Sequence, residues 1–183
     1  MALRQFYPNH PDVQAGAPAV ILIGLGANLD SPAGPPRMTL ASALGAMAAR
    51  RIRVQKLSRF YESPAWPNPE DPVFTNAVVR VQTPLGPQVL LEALHGIEAE
   101  FGRIREARNA PRTLDLDLLD YDGRIEGGSV ELPHPGIARR AFVLIPISDV
   151  APDWRHPVSK RSLSQLIAAI PEPEVAAVRA IDP

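Results

Sequence analysis

Two aspartates one residue apart, Asp115 and Asp117, lie in the stretch Arg108-Asn109-Ala110-Pro111-Arg112-Thr113-Leu114-Asp115-Leu116-Asp117-Leu118-Leu119. Read as a strand from Thr113 to Tyr121, the segment alternates. Leu114, Leu116 and Leu118 point one way and the two aspartates the other. Neighbours on one strand face are about 6.5–7 Å apart, so the two carboxylates repel, and burying them unpaired is costly. A divalent cation answers that problem: Mg²⁺ is commonly held by one or two carboxylates together with substrate phosphates. Arg112 and Arg108 just upstream carry guanidinium groups suited to phosphate oxygens. The combination suggests metal-assisted chemistry on a phosphate ester. Spacing alone admits a plainer reading, since Asp-x-Asp also marks the solvated face of a half-buried antiparallel strand, and a basic run is often just a solvated surface.

The elements that must position these groups belong to an ordinary globular chain. With 183 residues, 45% of them hydrophobic and 21% charged, it is long enough for one domain with a sizeable core. The formal net charge of −1 provides no global field to attract nucleic acid or anionic membranes. There is no cysteine, which excludes a disulfide framework and a thiolate metal site. No segment is apolar and long enough to span a bilayer. Residues 1–18 contain three prolines and charged residues but no apolar core, so they read as a flexible extension rather than a signal peptide. Residues 19–170 are expected to form the domain and 171–183 a peripheral tail. The expected location is the cytoplasm.

Ala19 to Ile23 is a short β-branched run that reads as a buried strand. It leads into Gly24-Leu25-Gly26-Ala27-Asn28-Leu29, which lacks the third glycine of a dinucleotide fingerprint. A tight strand exit needing positive φ at glycine is an equal reading of that loop. Met38, Leu40, Ala41, Leu44, Met47 and Ala48 recur at helical spacing, with both methionines as core filler. Ile52 to Tyr61 alternates like a strand. A proline-studded loop then carries Trp66, either a ligand wall or a lid over the core. Phe74 to Thr83 is a strand bearing Asn76, a turn residue or an amide that reads a ligand edge. Pro87 to Phe101 is a second helix with Val89, Leu90, Ala93, Leu94, Ile97 and Phe101 as its stripe, stopped by Gly102. Glu98 reads from spacing as a polar flank. Asp122-Gly123 predicts a hairpin turn with the chain returning through Arg124-Ile125. His134 lies in a rigid Leu132-Pro133-His134-Pro135 turn, where a lone histidine is usually structural. Leu163 to Ile170 is a last short helix.

The order of elements matches an α+β, ferredoxin-like βαββαβ core: an antiparallel sheet with helices on one face, followed by a C-terminal hairpin and short helices. Together the segments resemble the 6-hydroxymethyl-7,8-dihydropterin pyrophosphokinase family of folate biosynthesis. The resemblance rests on Arg108-x-Ala110-Pro111-Arg112-Thr113-Leu114-Asp115-Leu116-Asp117-Leu118-Leu119. It is supported by Gly24 to Leu29, Ser58-x-Phe60-Tyr61-x-Ser63-Pro64, Phe74-x-Asn76-Ala77, Ile97-Glu98-x-x-Phe101-Gly102-Arg103, Pro133-His134-Pro135 and Arg140-Ala141-Phe142. They occur in family order and cover roughly Val20 to Pro152.

The resemblance implies that ATP, as co-substrate, gives its β,γ-pyrophosphoryl group to the hydroxymethyl oxygen of the pterin, leaving AMP. It implies that Asp115 and Asp117 hold two Mg²⁺ ions, that Arg103 and Arg112 join them as catalytic groups, and that Glu98, Arg105, Arg112, Leu118, His134 and Arg140 contact ATP. Ser63, Pro64, Trp66, Phe74, Asn76 and Phe142 would form the pterin pocket, with Phe142 as a stacking face. The Trp66 loop and the arginine loop are expected to close over both substrates. Three positions depart from the pattern. Asn109-Ala110 stands where the best-known members carry a tryptophan before Gly-Pro-Arg, Ala27 replaces a usual serine, and the arginine loop is slightly shorter, which leaves the phosphate role open between Arg105 and Arg108. A monomer acting on small molecules, with no nucleic acid or membrane partner, is expected. The alternatives are a non-catalytic pterin- or nucleotide-binding ferredoxin-like module, and another metal-dependent phosphoryl enzyme such as a phosphatase or nuclease. The latter usually needs more metal ligands than two aspartates, and a nuclease favours a more basic surface.

Overall fold

Strand β1 (Ile21–Ala27) is central because its apolar run can be buried on both flanks: it pairs antiparallel with β4 (Phe74–Gln82) on one side and β5 (Asp115–Tyr121) on the other. The computed structural model describes residues 20–65, 68–104 and 110–181. The further elements are α1 (Pro36–Ala49), β2 (Arg53–Leu57), β3 (Tyr61–Ser63), α2 (Pro87–Glu100), α3 (Ala141–Val150), α4 (Leu163–Ile167), α5 (Glu172–Ala176) and β6 (Arg179–Ala180). The sheet runs β5-β1-β4-β3-β6, with β2 also on β4. Counting β2 and β3 as one interrupted strand gives βαββαβ, in which each helical crossover joins two parallel strands that flank an antiparallel one, the ferredoxin-like arrangement the sequence predicts.

That interruption corrects the single alternating strand expected from Ile52 to Tyr61. Ser58 donates its backbone N–H to the Val78 carbonyl at 2.9 Å, and its hydroxyl oxygen accepts from the Val78 N–H at 2.9 Å. A side chain thus replaces a ladder group, and the strand breaks there.

Helices α1 and α2 pack on one sheet face, with Leu40, Met47, Leu90, Leu94 and Ile97 against Ile23, Leu25, Leu116 and Leu118. Met38 is not core filler; it is 57% exposed, and Thr39 is the buried residue beside it. Val89, predicted in the stripe of α2, also lies outside its buried face, at 52% exposure. Gly102 ends α2 at φ +77°, a conformation that favours glycine.

The two core helices keep to one face, as expected; the later helices α3 and α4 take the other. Leu144, Ile147, Leu163 and Leu166 cover Leu22, Val78 and Leu119 on the opposite face. The α3 sequence is apolar nearly all round, so it must be buried rather than amphipathic. Residues 171–181, mostly exposed, nonetheless dock on this side. Val175 and Val178 pack on this second core, β6 pairs with β3, and the Ile181 N–H donates to the Phe60 carbonyl at 2.8 Å, capping an open sheet edge. Asp122 and Gly123 do turn, with φ of 56° and 68°, but among the described residues the chain beyond makes only a Glu126–Leu132 bridge and no strand on β5. Part of that edge is taken instead by the His134 N–H, which donates to the Leu119 carbonyl at 2.9 Å.

Candidate active site

The second sheet face is divided. At the Leu22 end it lies beneath α3; at the Gly26 end a row of polar groups takes over. Register sets Gly26 opposite both Asn76 and Asp115, and Gly24 opposite Asp117. Both glycines lie within β1, and neither has positive φ. This corrects both sequence readings of the glycine pair, nucleotide loop and strand exit. Their role is the absence of a side chain: a Cβ on Gly26 would meet Asn76 Oδ1 at 3.3 Å, Phe74 Cδ1 at 3.7 Å and Asp115 Cβ at 3.9 Å. Bare backbone forms the floor between amide, aromatic ring and carboxylate.

Asp115 is bonded by arginine on both oxygens. Arg112 donates to its Oδ2 at 2.9 Å, and Arg103 bonds its Oδ1. Arg103 also donates to Glu98 Oε1 at 3.0 Å and to the Leu114 carbonyl at 2.9 Å. Burial opposes the Arg103 cation, but the charges of Asp115 and Glu98 prevail and hold its pKa above the ordinary value. Glu98 is no polar flank. It is 3% exposed, and it accepts the Leu116 N–H at 2.9 Å, locking α2, Arg103 and β5 together.

Asp117 has looser partners, His134 Nε2 at 3.9 Å and Arg140 at 3.8 Å. Burial in the cleft, then the Asp115 charge, push its carboxyl pKa upward; His134, Arg140 and Arg112 offset only part of this. His134 Nδ1 accepts the Gly136 N–H at 3.0 Å, which leaves Nε2 to carry the proton of the neutral ring toward Asp117.

The β5 register slips between Leu118, opposite Ile23, and Asp120, opposite Leu22, so Leu119 is an extra residue. This bulge turns Asp120 onto the α3 side, against simple alternation. Asp120 is 1% exposed, accepts Trp154 Nε1–H at 2.6 Å and the Gly123 N–H at 3.1 Å, and has its pKa raised by burial. Leu118 stays in the α1–α2 core, so its side chain faces away from the aspartates and only its main chain remains for a ligand.

Two Arg–Phe pairs flank the cleft. The Arg112 guanidinium lies 5.5 Å from the Phe74 ring centroid, and that of Arg140 lies 5.8 Å from Phe142. Asn76 is buried and donates to Ser63 Oγ at 2.9 Å; Pro64 beside it is exposed. Of the expected site residues, Trp66 and Arg105 lie outside the described residues, as do Arg108 and Asn109. Asn28 and Gly26 are additions; their signal was their place in the glycine motif, which spacing alone did not convert into a role.

Among the described residues no group of three or more His, Cys, Asp and Glu converges on one point. Two carboxylates on one face are nevertheless a fitting donor set for a hard cation whose remaining ligands are phosphate oxygens and water. Arg112 Nε is buried without a partner beside them, a free donor for such an anion.

Fold and cleft define a ferredoxin-like α+β protein with two carboxylates and two arginines gathered on one sheet face, a donor set that suits a phosphate group and its cation. The match to known proteins is more particular. The family model for 7,8-dihydro-6-hydroxymethylpterin-pyrophosphokinase covers residues 22–152, and the chain belongs to that family. It is 39% identical over 151 residues to the 2-amino-4-hydroxy-6-hydroxymethyldihydropteridine pyrophosphokinase of Synechocystis sp., covering 81% of this chain and 75% of that one. The enzyme of the same name from Pseudomonas aeruginosa is 39% identical over 153 residues, covering 82% and 91%. The fold is shared with the crystallised HPPK-DHPS of Plasmodium falciparum. A triple mutant of that protein gives a TM-score of 0.63 at 14% identity over 85% of this chain, which spans 45% of the longer one. The chain is thus a pyrophosphokinase of folate biosynthesis that uses ATP as co-substrate.

Proposed function

We propose that the reaction takes place over Gly26, with the hydroxymethyl oxygen of 6-hydroxymethyl-7,8-dihydropterin attacking the β-phosphorus of ATP. The O–Pβ bond forms as the bond from Pβ to the oxygen bridging to the α-phosphorus breaks, and AMP leaves. The observation that carries this reading is the pairing of Asp115 with Gly26 and Asp117 with Gly24 on one sheet face, with Asn76 on the other side of Gly26. It sets an amide that can read a flat heterocycle next to carboxylates and arginines that can hold a triphosphate.

The pterin ring lies between Phe74 and Phe142, with Asn76 and Ser63 pairing with its hydrogen-bonding edge, Pro64 at the rim and Trp66 from the adjoining loop. Arg103 and Arg112 hold phosphate oxygens and oppose the charge that develops during transfer; His134, Arg140 and Arg105 extend this contact along the nucleotide. Glu98 acts through Arg103, which it keeps aimed at the cleft. Asp115 and Asp117 would hold two Mg²⁺ ions, which when bound neutralise the triphosphate and make the hydroxyl more acidic. Positioning and charge neutralisation supply most of the rate, since the protein offers little covalent chemistry.

Product analysis with ATP, Mg²⁺ and the dihydropterin tests the reading. Pterin-dependent AMP together with a diphosphorylated pterin is expected, abolished by a chelator and restored by Mg²⁺. ADP as product, or turnover unaffected by the chelator, overturns it.

A further inference from the structure

Asn28 lies just beyond the end of β1, where it is 5% exposed. Its amide is used at both ends. Oδ1 accepts the Arg112 N–H at 2.8 Å, and Nδ2 donates to the Pro72 carbonyl at 3.0 Å. The backbone N–H groups of Asn28 and Leu29 both donate to the Arg112 carbonyl, at 3.1 and 3.2 Å. One buried side chain therefore ties the segment that carries Arg112 to the end of the proline loop, two residues before Phe74.

The two tied segments serve different halves of the cleft. On one side Arg112 bonds Asp115. On the other, Pro72 leads into Phe74 and Asn76 of β4. A buried amide is satisfied here only when both segments are in place, because withdrawing either leaves a donor or an acceptor without a partner. The Arg112 segment cannot shift toward an anion without carrying the amide with it or losing the bond. The link to Pro72 then transmits that shift to the loop entering Phe74.

We propose that Asn28 is a positioning residue that couples the nucleotide half of the site to the pterin half, so that occupation of either raises affinity for the other. Coupling of this kind is reciprocal: the factor by which nucleotide strengthens pterin binding equals the factor by which pterin strengthens nucleotide binding. The inference rests on the assignment of Arg112 to nucleotide and of Phe74 and Asn76 to pterin made above.

Asn28→Asp is the discriminating variant. It keeps the acceptor for the Arg112 N–H but sets a carboxylate oxygen against the Pro72 carbonyl, so it breaks the pterin-side link alone. Asn28→Ala breaks both links. Calorimetric titration of wild type and both variants, with the dihydropterin and with α,β-methylene-ATP plus Mg²⁺, singly and together, gives the coupling factor directly. Expected are a wild-type factor of about tenfold or more, a factor near one in Asn28→Asp, single-ligand affinities in that variant within about threefold of wild type, and a melting midpoint lowered by the buried carboxylate but still above the titration temperature. A factor near one in wild type, or an undiminished factor in either folded variant, overturns the proposal. If the variants do not fold, hydrogen exchange of the wild-type chain decides. The nucleotide analogue alone is expected to slow exchange in residues 68–74, and no change there overturns the proposal. Failure of the underlying assignment reads differently: Arg112→Ala would spare nucleotide affinity, or Phe74→Ala would spare pterin affinity, whatever the coupling.

Discussion

Asp115 and Asp117 face the same cleft from alternate positions of β5 but are unequally paired: Asp115 is bonded by both Arg103 and Arg112, whereas Asp117 has Arg140 at 3.8 Å and the His134 ring at 3.9 Å. Burial, and after it the Asp115 charge, raise the Asp117 pKa, and its more distant partners offset only part of that rise.

Asp117→Asn should separate function from stability. Loss of the proposed metal ligand is expected to lower kcat/KM by at least about a hundredfold, the scale for removing one charge-stabilising group. Stability should move the other way. A carboxyl whose folded pKa lies above its unfolded value is favoured in the neutral form, so its contribution to stability is present below the unfolded pKa and lost as pH rises through the folded pKa. The variant, always neutral, should match wild type near pH 3 and equal or exceed it at pH 7 in denaturant melts. A variant clearly less stable than wild type at pH 7, or near-normal turnover, would contradict this.

Trp154→Phe probes the bulge that aims β5. Asp120 would lose its 2.6 Å bond from the Trp154 indole while remaining buried. That bond lowers the Asp120 pKa, which burial has already raised, so its loss pushes the carboxyl higher still. The cost falls on the charged form. The destabilisation relative to wild type should be smaller at pH 3, where Asp120 is neutral, and grow toward pH 7 by about 1–3 kcal/mol, the scale for an unsatisfied buried group. Chemical melts at both pH values measure it; a difference independent of pH would show that Trp154 acts only through its ring volume.

How far the sequence could be read depends on whether a feature is local. Alternation in β5 correctly set Leu114 and Leu116 against Asp115 and Asp117, and helical spacing in α2 found Leu90, Leu94 and Ile97. Alternation failed at Asp120, because an extra residue at Leu119 shifts the register against β1, and a register shift is a property of two strands. Glu98 looked like a flank because its partners, Arg103 and the Leu116 N–H, come from outside its helix. The strand break at Ser58 depends on Val78, and the docking of the tail depends on the open edge of β3. Asn28 was visible only as part of a family motif, for its two loops meet only in the fold.

Gly26→Ala tests whether the bare floor of the cleft serves the pterin. The strand conformation of Gly26 is one alanine adopts without strain, and alanine is favoured over glycine within a strand by about 0.5–1 kcal/mol. The added Cβ would, however, stand 3.3 Å from Asn76 Oδ1 and 3.7 Å from the Phe74 ring, so one or both must give by a few tenths of an ångström. The Asn76 amide resists because Ser63 holds its other end. A displacement of that size at a hydrogen-bonding edge is expected to raise the KM for the pterin about tenfold, since misplacement by 1 Å costs about a hundredfold. Nucleotide affinity should stay within about twofold, because the added Cβ would meet the Asp115 Cβ only at an ordinary 3.9 Å, and the melting midpoint should hold or rise slightly. Steady-state kinetics with each substrate varied, alongside a thermal melt, provide the check. A rise in nucleotide KM with pterin KM unchanged would move the pterin away from Gly26 and place the triphosphate there.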